Sequence, residues 1–267
     1  MSNQRRNLYF YYPPDKQLDE KLEPLFKLAK ENNFSIVENA KNANIIISVG
    51  GDGTFLQAVR QTGFRQDCLY VGIRRDDEAG LYCDFNLDNY DEMVNSMMYE
   101  ELEVRRFPMI ETTVNDESTF CCLNECSVRS TLIKSIVIDV YIDDIHFETF
   151  RGDGLIVATP TGSTGYNKST KGAVVDPKIP CFQVSELASL NNNRYRTLDS
   201  SFILGSERTL RLKVIQDGND FPVIGMDNEA HSIRNIRELK IQLSDKIIKT
   251  VKLKNNSYWE RVQRTFL

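Results

Sequence analysis

The 267-residue chain sets 33 Lys and Arg against 38 Asp and Glu, a net charge of −5, and is 41% hydrophobic and 27% charged. That balance suits a globular protein with a sizeable core and argues against a nucleic-acid partner, whose footprint is a basic surface. No apolar run approaches the roughly 18 residues of a membrane span, and the start, MSNQRRNLYFYYPP, lacks the apolar stretch of an export signal, so a cytoplasmic protein with no membrane partner is expected.

NLYFYY (7–12) is rich in strand formers and stops at Pro13-Pro14. KQLDEKLEPLFKLAKENN (16–33) spaces Leu18, Leu22, Leu25, Phe26 and Ala29 at helical intervals, with Pro24 as a point where the helix kinks or shortens. NIIISV (44–49) is a continuous apolar run, as in a parallel strand buried on both faces. TFLQAVRQT (54–62) reads as a helix, DCLYVGI (67–73) as the next strand, and LDNYDEMVNSMMYEEL (87–102) as a further helix. Strand, glycine turn, helix and strand make a βαβ unit.

Beyond residue 103 the pattern changes. VRRFPMIETTVN, STFCCLNECSVR, SIVIDVYIDDIHFETF, FILGSERTLRLKVI and KIIKTVKLK read as strands, with a hairpin at Asp143-Asp144. This half is expected to be an all-β sandwich. NSYWERVQRTF at the end reverts to helix, with Trp259, Val262 and Phe266 on one side. A lone amphipathic helix is unstable in water, so it is expected to pack back on the first domain. The expected division is residues 1–102 with 250–267, and 103–249. Cys121, Cys122 and Cys126 lack the paired spacing of a zinc site, so no protein-held metal is expected and the thiols read as strand core.

SVGGDGTFLQ (48–57) places glycines where an open α/β sheet holds its ligand, at the end of a buried strand. The backbone N–H groups of Gly50, Gly51, Gly53 and Thr54, with the helix start, suit a phosphate. Asp52 at the centre does not, because a carboxylate repels phosphate in a low-dielectric pocket. Three readings stand at this point: a helix N-cap or turn carboxylate with no phosphate beside it, a ligand for a cation, or an acceptor for the proton of an attacking hydroxyl, the last two both phosphoryl-transfer chemistry. The turn matches neither the Walker pattern nor Gly-x-Gly-x-x-Gly. FRGDGLIVATPTGSTGYNKSTKGAVVDP (150–177) crowds small, hydroxyl and glycine residues into a tight loop, as a ligand loop or an ordinary turn would.

Taken together these stretches resemble the NAD kinase family, most closely its compact bacterial type. Gly50 to Thr54 match its Gly-Gly-Asp-Gly-Thr element, and Asn124 and Glu125 its Asn-Glu pair. Asp153-Gly154 with Thr159 to Tyr166, and ELASLNN (186–192), match two more, in the family's order. The resemblance implies a Rossmann-like first domain and a β-sandwich second. It implies phosphoryl transfer from ATP, or polyphosphate, to the adenosine-ribose 2′-hydroxyl of NAD, with magnesium arriving on the nucleotide. Asp52 would be the base, sitting with Gly53 near that hydroxyl. Asn124 would read the adenine edge and Glu125 the ribose hydroxyls. Thr161, Thr164, Gly165 and Tyr166 would line the adenosine pocket, continued by Asn167, Lys168 and Ser169. Arg151 and Asp153 would approach the nicotinamide end, and Ala188 would come from a neighbouring subunit of a homodimer or homotetramer.

Three stretches depart from the family. Gly165 stands where the family has alanine. VGIRRDDEAGLYCDF (71–85) replaces its Gly-x-Asn-x-Gly-x-Leu-Gly-Phe element and offers Arg74 and Arg75 to a triphosphate. GMDNEA (225–230) stands where many members have Asp-Gly-Gln. These mark a divergent paralogue. The alternatives are a kinase of the same glycine element acting on another hydroxyl, and a catalytically silent dinucleotide sensor.

Overall fold

Ile45–Val49, β-branched apart from Ser48 and buried from Ile46 onward, is the central strand of a parallel sheet in a computed structural model. The structure describes residues 6–76, 80–89, 93, 95, 102–130, 134–215, 222–231, 236–254 and 256–267. The chain forms two compact units, Met1–Phe107 with Ile248–Leu267, and Pro108–Ile247. The strands crossing these boundaries run on without a break, so no turn residue marks either one.

In the first unit β1 (Asn7–Tyr11), β2 (Ser35–Ile36), β3 (Ile45–Val49) and β4 (Leu69–Arg74) pair in parallel in the order β4-β3-β1-β2, and β5 (Phe85–Asn86) joins β4. Helix α1 (Lys16–Glu31) is capped by Asp15, whose carboxylate accepts from Gln17 N at 3.0 Å, and it runs through Pro24 unbroken. Its Leu18, Leu22, Leu25 and Ala29 pack on Ile47, Val49, Val71 and Ile73. Each buried leucine contributes about 1.5–3 kcal/mol. The alternate residues of the strands meet helix α2 (Asp52–Gln61), where Phe55 lies edge-on to Tyr70 and stacks on Tyr82 at 4.9 Å. The helix expected over 87–102 opens as a 3-10 turn at Leu87–Asn89, and most of its remainder lies outside the described residues.

β6 (Leu102–Val114) leads into the second unit, whose strands are β7 (Ser118–Cys122), β8 (Glu125–Arg129), β9 (Ile136–Ile142), β10 (Ile145–Gly152), β11 (Gly154–Ala158), β12 (Cys181–Leu187), β13 (Phe202–Gly205), β14 (Thr209–Ile215), β15 (Val223–Met226), β16 (Glu229–His231) and β17 (Glu238–Leu253). One antiparallel layer orders β10-β9-β14-β17, and the other β13-β12-β11-β8-β15-β16. Ile138, Val140, Leu210 and Leu212 of the first layer share a core with Val128, Leu155, Val157 and Phe182 of the second, which makes a sandwich. STFCCLNECSVR, read as one strand, is two, because the chain bends at Leu123-Asn124 between sheets. The hairpin at Asp143-Asp144 is present, with Ile142 opposite Ile145 and Asp143 at φ 56°.

The last stretch of β17 re-enters the first unit, where Thr250 pairs with Tyr70. Helix α4 (Tyr258–Phe266) follows, opened by a reciprocal Ser257–Glu260 capping box; the short α3 (Tyr166–Ser169) belongs to the second unit. The helix packs on the first unit, with Val262 and Phe266 of the expected face half-buried. Trp259 is 49% exposed while Arg261 is fully buried. An ion pair with Asp84, 3.4 Å away, draws the arginine inward and turns the tryptophan out.

Candidate active site

In the first unit the glycine turn follows β3 and opens α2. Gly50 has φ +155°, and a Cβ there would collide with the Thr54 side chain, so the close approach requires glycine. Gly51 occupies the cap position of α2 without a side-chain cap. Asp52 is the first helical residue and is not the N-cap. Its carboxylate reaches across the fold: Oδ2 accepts from Leu81 N at 2.7 Å and Oδ1 from Tyr82 N at 3.0 Å. Gly80 makes room, since a Cβ there would lie 2.6 Å from Asp52 Oδ1.

Burial raises the Asp52 pKa, and the two amide hydrogen bonds with the charges of Arg261 and Arg74 oppose that rise. The result is a fixed carboxylate of raised basicity at the positive end of a helix. Of the two arginines offered to a triphosphate, Arg74 stands on this carboxylate's side. Arg75 pairs with Asp15 at 3.6 Å and Asp76 at 3.9 Å.

In the second unit β8 begins at Glu125, directly opposite Ala158 at the end of β11. The Asn-Glu pair and the Thr159–Tyr166 loop therefore leave neighbouring strands at one end of the sheet. Thr159 Oγ1 donates to the Leu123 carbonyl at 2.6 Å and accepts from Gly162 N at 3.0 Å. A Cβ on Gly162 would run into the Asn124 carbonyl. Thr161 and Thr164 are buried; Thr164 Oγ1 donates to the Thr161 carbonyl at 3.0 Å and Thr161 Oγ1 lies 3.3 Å from Thr159 Oγ1, so both hydroxyls frame the loop. Asn167 is fully buried and accepts from Ser185 Oγ at 2.6 Å; it too braces the loop. Gly165, Lys168 and Ser169 are exposed, and Tyr166 is half-buried.

Glu125 is buried, its Oε2 without a hydrogen-bond partner among the described residues, and a Cβ on Gly165 would stand 3.0 Å from that oxygen. Desolvation, then the nearby Asp227 charge, push its pKa to about 8, against a backbone N–H of Tyr166. Asp227 is the residue that sequence reading missed. At φ 53° in the β15–β16 turn, its carboxylate accepts from Asn124 N at 2.6 Å and Leu123 N at 3.1 Å, which sets the bend carrying Asn124 and Glu125. Its signal was present, since the GMDNEA stretch keeps the aspartate of Asp-Gly-Gln.

Asp153, Tyr166 and Ala188 line one cavity of about 670 Å³, together with Arg129 and Lys134, which the sequence reading did not select. Arg129 Nη1 donates to Tyr166 Oη at 2.8 Å and fixes the ring. Arg151 donates from Nε at 2.9 Å to the Oγ of Ser135, which lines the same cavity, and its guanidinium lies over the Tyr195 ring at 5.0 Å.

Gly162→Ala is expected to cost about 2 kcal/mol by overpacking. Gly51→Ala, where a Cβ meets nothing within 4 Å among the described residues, should lower the melting temperature far less. Thermal unfolding of both variants checks the pair.

The sequence model of the ATP-NAD kinase C-terminal domain matches residues 123–253. NAD kinase 2 of Oceanobacillus iheyensis is 61% identical over 264 residues, covering 99% of both chains. NAD kinase 2 of Bacillus subtilis is 61% identical over 267 residues, the whole of both. Among solved structures, an NAD kinase from Archaeoglobus fulgidus in complex with ATP superposes with a TM-score of 0.76 at 25% identity, over 97% of this chain and 98% of that one. With such identity from end to end, the chain belongs to the NAD kinase family.

Proposed function

We propose that this NAD kinase transfers the terminal phosphoryl group of ATP to the adenosine-ribose 2′-hydroxyl of NAD, with Asp52 as the general base. The observation that carries the reading is the Asp52 carboxylate, held by two backbone N–H groups at the start of α2 and raised in basicity by burial. A ribose hydroxyl is a poor nucleophile, and a positioned base speeds its attack about 100- to 10,000-fold. The backbone of Gly50, Gly51, Gly53 and Thr54 holds donor phosphate. In the second unit Asn124 and Glu125 take the adenosine, with Gly165 and Tyr166 beside them. Thr161, Thr164 and Asn167 shape that pocket, Lys168 and Ser169 border it, and Asp153, Arg151 and Ala188 serve the nicotinamide side.

Magnesium fits as a companion of the nucleotide. It keeps several waters and needs only one or two protein carboxylates beside substrate phosphates, and among the described residues no three His, Cys, Asp or Glu side chains gather as a cage. Bound there, it would offset charge on the transferring phosphoryl group.

The ATP-bound Archaeoglobus relative supports ATP as donor. No helix among the described residues is long and apolar enough to cross a membrane. Five buried free cysteines accord with the reducing cytoplasm in which we place a homodimer or homotetramer.

Purified protein given NAD, ATP and Mg²⁺ should form NADP, read by an NADP-specific dehydrogenase. Parallel reactions with NADH and with polyphosphate define acceptor and donor. No NADP from any combination sinks the proposal.

A further inference from the structure

Helix α4 carries a buried charge that none of these roles uses. Arg261 is fully buried; its Nη1 donates to the Leu81 carbonyl and lies 3.4 Å from Asp84 Oδ2. Asp84 also receives Arg105 Nη2 at 2.7 Å and the Asn256 amide, while Arg105 Nη1 reaches the Leu81 carbonyl at 3.4 Å. Two guanidinium groups thus hold both ends of the short segment Leu81–Asp84.

That segment is the one that holds Asp52. The carbonyl of Leu81 and the N–H of Tyr82 belong to one planar trans peptide, so they point in opposite directions. Fixing the carbonyl on the arginine side aims the N–H at Asp52 Oδ1, 3.0 Å away. A cation on the carbonyl also polarises the peptide and strengthens the N–H as a donor.

Among the described residues, Arg261 Nε and Nη2 have no hydrogen-bond partner. Burying such a group is costly, and a well-packed apolar side chain would serve stability alone at least as well. We propose that Arg261 is a positioning residue for Asp52, acting through the Leu81–Tyr82 peptide, so that the C-terminal helix sets the geometry and charge of the base. The role in turnover rests on the reading of Asp52 as that base.

Among the described residues, the charged and titratable groups around Asp52 are Arg74 on β4, Tyr82, Cys83 and Asp84 on the held segment, Arg105 on β6 and Arg261 itself. Arg261 lowers the Asp52 pKa, so removing it should move that pKa up.

The test compares wild type with Arg261→Met and Arg261→Lys by three readouts: hydrogen exchange at the Leu81 and Tyr82 amides, the ¹³C titration of the Asp52 carboxyl, and the kcat and KM for NAD. In Arg261→Met, Tyr82 should lose protection and the Asp52 midpoint should rise. Its kcat should fall about 10- to 100-fold with KM changed less than about twofold, as for a misplaced catalytic group. Arg261→Lys keeps the charge but loses the fork, so protection should fall with a smaller midpoint shift. A folded Arg261→Met with protected amides and an unmoved midpoint overturns the proposal, whatever its melting temperature. If that variant does not fold, the same result in Arg261→Lys overturns it. Retained turnover in Asp52→Asn would remove the base reading alone, because exchange and titration judge the positioning without catalysis.

Discussion

Asp52→Asn is expected to cut kcat by about 100- to 10,000-fold while NAD affinity changes by no more than a few fold. The substitution keeps the shape of the side chain and removes the proton acceptor. It also has a structural consequence that the sequence alone does not show. Both carboxylate oxygens accept backbone N–H groups, from Leu81 and Tyr82. An asparagine offers one oxygen and one NH₂, so one backbone donor faces another donor. Leaving it unsatisfied costs about 1–3 kcal/mol, and the variant should melt at a lower temperature for that reason. The two effects separate on measurement, since calorimetric NAD titration reads binding, thermal unfolding reads the lost bond, and single-turnover kinetics read the chemistry. NADP formation within about threefold of wild type would remove Asp52 from the base role.

The elements around Asp52 differ in how far the sequence reveals them. The run from Asn44 to Val49 and the periodicity of Leu18, Leu22, Leu25 and Ala29 are local signals, and both elements form where that pattern places them. The family resemblance supplied Asn124, Glu125 and the Thr159–Tyr166 loop as a set, and these do lie at one end of neighbouring strands. What was not legible is the support beneath them. Asp52 depends on residues 29 and 30 positions away, and Arg261 meets Leu81 across 180 positions. No period of 2 or 3.6 encodes such a pairing. On α4 hydrophobicity picked out Val262 and Phe266, which are half-buried, but could not show that a buried ion pair puts Arg261 inside and leaves Trp259 exposed. The loop threonines and Asn167 show a subtler gap. Their types suggest ligand contact, and only the structure adds that burial and hydrogen bonding also have them brace the loop.

Glu125 carries the second large effect, through its raised pKa. With a folded pKa of about 8 against an ordinary 4.5, it is mostly protonated at pH 7 in the ligand-free protein. Because the folded value lies above the unfolded one, stability is fully present below pH 4.5, declines as pH rises, and stops declining above about 8. Glu125→Gln removes that titration. Its ligand-free form should be more stable than wild type above pH 8, by an amount on the order of a few kcal/mol. On the proposed reading, in which Glu125 faces the ribose 2′ position, the same proton governs product binding. A protonated Glu125 can donate to a 2′-phosphate oxygen, whereas the ionised form repels it. NAD, with hydroxyls that both donate and accept, tolerates either form. Wild-type affinity for NADP should therefore fall about a hundredfold between pH 7 and 10, where the 2′-phosphate is already doubly charged, while NAD affinity stays nearly level. In Glu125→Gln the NADP curve should be flat, so that at high pH the variant retains its product and turns over more slowly as NADP accumulates. Calorimetric titration of both dinucleotides across this range checks it. Equal pH profiles for NADP in wild type and variant would show that Glu125 does not face the 2′ position.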